Sequence, residues 1–134
     1  MRTDSPLSLD VDQENRILFY RLYGTLEGFR VSALMQTVLD PIKDPWNFDA
    51  ITDLRRFEGS LSVADVEAMA EDWYARVGNK DAGRRTAIVT DNPATLARLP
   101  LTRGLFPGRI LTVVASLDEA LDWIHEQRAL TPEA

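Results

Sequence analysis

The sequence predicts an α/β domain on a mixed, mostly parallel five-stranded sheet with about four helices, in the order ββαβαβαβα. Three observations carry this. Short apolar runs rich in β-branched residues alternate with longer stretches of helical period. Capping residues, glycines and prolines separate the two kinds of segment. The first two strand-like runs are joined by a polar turn alone, so they pair antiparallel, whereas later strands separated by helices must return parallel.

Residues 7–11 (LSLDV) alternate apolar and polar, the period of a half-buried strand, and residues 13–15 form a turn. Residues 16–22 (RILFYRL) are apolar on both faces and read as a more central strand, ended by Gly24. Thr25 is the expected N-cap of a first helix whose apolar face is Val31, Leu34, Met35, Val38, Leu39 and Ile42, stopped at Asp40-Pro41. After a loop around Trp46, residues 48–54 (FDAITDL) form the third strand. Ser62 with Asp65 makes a capping box with Asp for Glu, opening a helix that carries Val66, Met69, Ala70, Trp73 and Val77 on one stripe. Residues 86–90 (TAIVT) are a buried strand, and Asn92-Pro93 starts a helix expected to end near Leu99-Pro100. Residues 100–108 (PLTRGLFPG) read as an apolar loop, and residues 109–115 (RILTVVA) as the last strand. Ser116 and Glu119 cap the final helix.

With 134 residues the chain is one domain, 1–134, its core spanning about 7–127 and its ends, 1–6 and 129–134, loose. Apolar residues make up 45% and charged residues 27%, which excludes disorder and fibrous repeats. A net charge of −6 argues against nucleic acid as a partner. There is no cysteine, so disulfides, thiolate metal sites and cysteine nucleophiles are excluded. The lone histidine, His125, excludes a multi-histidine metal centre and reads as a helix-surface residue. Asp118, Glu119, Asp122 and Glu126 read as a solvated acidic face. No cofactor motif, membrane-length apolar run or leader-like segment is present, so no cofactor, no integral membrane association and a cytoplasmic location are expected.

Several pieces fall in a familiar order. They are the opening hairpin, Tyr23-Gly24, Asp53-Leu54, Phe57-Glu58-Gly59, the strand at 84–89, Leu105-Phe106-Pro107-Gly108 and the helix at 118–124. Over about residues 7–127 this resembles the SpoIIAA-like, or STAS, domain of anti-sigma factor antagonists, in its small stand-alone bacterial branch. The resemblance implies a non-catalytic regulatory or protein-interaction domain. In phosphorylated antagonists an Asp-Ser pair opens the second helix. Ser62 falls at the serine, but Leu61 stands where the aspartate would be, and Val63-Ala64 replace the Ser-Gly that follows.

In open parallel sheets, ligands sit beyond the carboxyl ends of the strands. That edge holds Tyr23, Asp53, Arg55, Arg56, Thr90 and Asp91, with Ser60 and Ser62 in the loop leading to a helix N-terminus. Backbone N–H groups and two arginines there suit an anion, while an ordinary exposed loop with Ser62 as a plain N-cap explains the same residues. Asp53 at a strand end is also where receiver domains carry a phosphoacceptor. However, Asp10 and Asp12 lie before a hairpin and no lysine lies near Ala115, so that reading is poor. Trp46, Leu105 and Phe106 are candidates for an exposed apolar contact surface and a homodimer.

Two functions remain. One is a regulatory domain acting on an unidentified protein partner. The other is a small-ligand or lipid-binding protein with a pocket between helices and sheet, as the similar fold of the lipid-carrying CRAL-TRIO domains implies. A large apolar cavity favours the second and a filled core the first.

Overall fold

The computed structural model describes residues 6–130. Strands β1 (Leu7–Asp12), β2 (Ile17–Gly24), β3 (Asp49–Phe57), β4 (Arg85–Val89) and β5 (Ile110–Val114) form one sheet in the order β1-β2-β3-β4-β5. Only β1 and β2 are antiparallel. The helices are α1 (Val31–Leu39), α2 (Val63–Val77), α3 (Pro93–Ala97), α4 (Leu99–Leu105) and α5 (Leu117–Leu130).

Because the parallel strands are added in one direction across the sheet, right-handed crossovers put every connecting helix on the same face. There α1 lies over β1 and beside α2, and α4 lies over β5. The core on this side joins Leu7, Leu18, Tyr20 and Leu22 to Val31 and Leu39. Among the described residues the opposite face has only α5, which covers β3, β4 and β5 through Ala120 and Ile124 against Ile51, Ala87 and Val89. The outer half of that face, beyond the reach of α5, is polar. Arg21 there pairs with Asp10 at 2.7 Å and lies over the Phe19 ring.

Four boundaries differ from the sequence expectation. Thr25 does not cap α1; residues 28–30 form a 3-10 turn and α1 begins at Val31. This turn is packed hard against the chain before α2. A Cβ at Gly28 would collide with Asp65 Oδ2 and the Ser60 carbonyl, so tertiary contact overrides the local capping signal. Strand β3 continues to Phe57, because a bulge lets Tyr23 and Gly24 of β2 pair with Arg56 and Phe57, and Arg55 and Arg56 are therefore strand residues rather than loop residues.

Residues 100–108 are mostly helix, which gives five helices rather than four. Pro100 sits in the first turn of α4, where no N–H is needed, and Arg98 keeps a helical backbone between α3 and α4. Finally, α5 runs through Leu130, so residues 129 and 130 are helical, and the Pro6 carbonyl accepts from Tyr23 N at 2.8 Å. The rest of the expected loose ends, 1–5 and 131–134, lie outside the described residues.

Candidate functional site

Helix α2 packs against α1 on one side and α4 on the other, and makes little direct contact with the sheet. Beneath it the strands carry short side chains, Ala50 and Thr52 from β3 and Thr86 from β4. Helices held apart over small floor residues leave a gap, and a cavity of about 170 Å³ lies there. Its floor also includes Leu18, Tyr20, Leu22 and Ile88. Met35, Gln36 and Leu39 of α1 form one wall, Val66, Met69 and Trp73 of α2 the roof, and Thr95, Arg98, Thr102 and Phe106 the other wall.

The lining is mostly apolar, but its polar groups are placed by register. Tyr20 of β2 is the lateral partner of Thr52 of β3, and Ala50, two residues before Thr52, is the partner of Thr86. Strand alternation points all four at the cavity. Among the described residues neither the Tyr20 hydroxyl nor that of Thr52 has a hydrogen-bond partner. Burial pushes the Tyr20 phenol well above its ordinary range, against the opposing charges of Arg109 and Arg76, so it is a neutral donor.

Arg109 closes the lower end. Its Nε donates to Thr86 Oγ1 at 2.7 Å and its Nη2 to the Phe48 and Arg85 carbonyls, each at 3.1 Å. Its charge is balanced by Asp81 at 3.5 Å, both side chains being 6% exposed. Burial lowers the Arg109 pKa, with Asp81, Tyr20 and Asp49 opposing the shift. Arg98 differs. It is half-exposed, lines the cavity and donates Nη1 to the Leu61 carbonyl, with no carboxylate partner among the described residues.

The strand-edge residues singled out from sequence are arranged otherwise. Asp53 is buried and accepts from Arg55 N, Nε and Nη2 at 3.0, 3.0 and 2.9 Å, so the Arg55 guanidinium is already engaged. Burial alone would raise the Asp53 carboxyl; the Arg55 hydrogen bonds and the charges of Arg55 and Arg21 outweigh it and hold the pKa below 3.8. Tyr23 is half-buried and pairs in register with an exposed Arg56. Thr90 is buried and its hydroxyl accepts from Asn92 N, while Asp91 and Ser60 are exposed. Ser62 caps α2 in a reciprocal box with Asp65, at 3.1 and 2.8 Å. The edge residues thus lie on separate elements, and several are committed to partners of their own.

Of the expected apolar contact residues, Phe106 turns into the cavity instead of outward. Leu105 is half-buried, and Trp46 is half-buried with Lys80 Nζ 4.2 Å over its ring. His125 and the acidic residues of α5 are exposed on the far face. No group of three or more His, Cys, Asp or Glu is placed to hold a metal among the described residues, and no helix there is long and apolar enough to cross a membrane.

The cavity residues Tyr20, Thr52, Thr86, Arg98 and Arg109 were missed by the sequence reading. The one usable signal was threonine and tyrosine at inward positions of central strands, where a filled core would carry Val or Leu.

No protein-family model matches the sequence, and no curated protein matches it. Among solved structures the chain is similar to an uncharacterized protein of the DUF3478 family from Shewanella loihica PV-4, described as having a SpoIIAA-like fold. The two share 20% identity, and the match covers 92% of this chain and 98% of that one with a TM-score of 0.58. The fold is therefore SpoIIAA-like.

Proposed function

We propose that this protein binds a small, mostly apolar molecule in the space beneath α2, and that it does so without catalysing a reaction on it. The observation behind this reading is the cavity of about 170 Å³ between helices and sheet. An engineered apolar cavity of about 150 Å³ accepts benzene, so this one suits a ligand body of similar size. A ligand there would cover the part-exposed apolar lining of Met35, Met69 and Trp73, and taking such surface out of water favours binding.

The polar groups on the lining support binding rather than turnover. Hydroxyls and guanidinium groups orient a ligand, and the lining hydroxyl of Ser32, which donates to Asp72 Oδ2 at 2.6 Å, is buried and ties α1 to α2. Native mass spectrometry of the purified protein, with benzyl alcohol as an added probe, tests the reading. A retained compound, or a saturable rise in Tm with benzyl alcohol, is expected. A folded protein whose Tm is unmoved by benzyl alcohol and which retains nothing would overturn it.

The regulatory reading is favoured by one feature, the exposed apolar side chains Phe29, Leu96 and Leu101. A pull-down that recovers one stoichiometric partner, lost on Leu96→Asp, would assign the function to that surface.

A further inference from the structure

We infer that the ligand is a small monocarboxylate, with its apolar body beneath α2 and its carboxylate on Arg98. The inference rests on the reading of the cavity as a ligand site and adds the chemical class.

Two guanidinium groups line the cavity, and among the described residues only one has no counter-charge. Arg109 has Asp81, and its donors are spent on Thr86 Oγ1 and two backbone carbonyls. Arg98 has the Leu61 carbonyl alone, and no carboxylate among the described residues. An arginine stays protonated at any physiological pH. It reaches from the α3–α4 joint to the segment before α2, so it borders both solvent and interior. A guanidinium holds a carboxylate through parallel N–H donors, and Nε and Nη2 of Arg98 are available for this.

One uncompensated positive charge matches a monoanion. A dianion such as a phosphate monoester would leave excess negative charge in a chain whose net charge is already −6. The volume sets the apolar part at about six to eight carbon atoms, by comparison with a benzene-sized cavity. The unpartnered Tyr20 and Thr52 hydroxyls on the floor leave room for one polar substituent on that body.

Benzoate and benzyl alcohol share a ring and differ in charge. Calorimetric titration of the full chain with each probe is the test, on wild type and on Arg98→Met. Benzoate is expected to bind at least about tenfold more tightly than benzyl alcohol, the factor a charged hydrogen bond provides. Arg98→Met should erase that preference, bringing benzoate down to the affinity of benzyl alcohol or below. Should Arg98→Met not fold, wild type still decides: raising salt should weaken benzoate and not benzyl alcohol. Equal binding of the two probes, or a benzoate preference indifferent to both Arg98→Met and salt, would overturn the carboxylate inference while leaving the cavity as a site. Binding of neither would remove both.

Discussion

The indole Nε1 of Trp73 donates to Asp81 Oδ2 at 2.7 Å, and the same oxygen faces the Arg109 guanidinium, which lies 5.5 Å from the Trp73 ring. The contact ties the middle of α2 to the turn before β4 and to the residue preceding β5. It anchors the C-terminal half of α2, while short side chains form the floor beneath.

Asp81→Ala should therefore be among the most damaging single changes. It leaves Arg109 buried without a counter-charge, at a cost of about 3–5 kcal/mol. Trp73→Phe removes one hydrogen bond and part of the roof, and should cost less, about 1–2 kcal/mol. Urea denaturation of both variants beside wild type gives the comparison; equal costs would show that the ion pair is not what matters there.

The two floor threonines should separate. Thr52 has no hydrogen-bond partner among the described residues, so Thr52→Val should change stability by less than about 0.5 kcal/mol. Thr86 accepts from Arg109 Nε, so Thr86→Val strands a buried charged donor and should cost about 1.5–3 kcal/mol. The check is again chemical denaturation, with the order of the two midpoints as the readout.

Filling the cavity should trade binding for stability. Ala50 is 6% exposed and lies on the floor. Ala50→Leu projects into the void and should raise stability by about 1 kcal/mol while abolishing benzyl alcohol binding. A destabilised variant that still binds the probe would mean that the floor has no free space at residue 50.

The Asp53–Arg55 pair should appear in the pH dependence of stability. The folded pKa of Asp53 lies below 3.8, so the unfolded chain binds the proton more readily in that window. The stabilisation is complete above 3.8 and is lost as pH falls through the folded value. Arg55→Met should cost up to about 1 kcal/mol at neutral pH, because Arg55 is itself 45% exposed. That difference should shrink at about pH 3, where the carboxyl is closer to protonation in both proteins. Unfolding curves at the two pH values decide it.

Ser62 is occupied as a cap. Ser62→Ala should lower stability by about 1 kcal/mol, read from the urea midpoint. A phosphate on Ser62 would meet the Asp65 carboxylate in the same box, so mass spectrometry of protein from cells should find Ser62 unmodified. Stoichiometric phosphate on Ser62 would contradict this.

The order of strands and helices was legible in the sequence because it follows from local chemistry. Alternation in LSLDV, the apolar runs at 86–90 and 110–114, Pro93 after Asn92, and the Ser62 and Ser116 caps are each decided within a few residues. The parallel sheet followed, because a strand reached through a helix returns in the same direction. Where a distant contact outweighed the local signal, the boundary moved. Gly28 against Ser60 and Asp65 displaced the start of α1, and pairing with Tyr23 and Gly24 drew Arg55 and Arg56 into β3.

The cavity depended on tertiary structure alone. Whether Met69 and Trp73 descend onto Ala50, Thr52 and Thr86 depends on how α1 and α4 hold α2 above the sheet, a matter of packing between elements far apart in sequence. So too with charge: thirteen arginines look alike in the chain, and only the fold gives Arg109 its Asp81 and leaves Arg98 at the cavity with no carboxylate partner among the described residues.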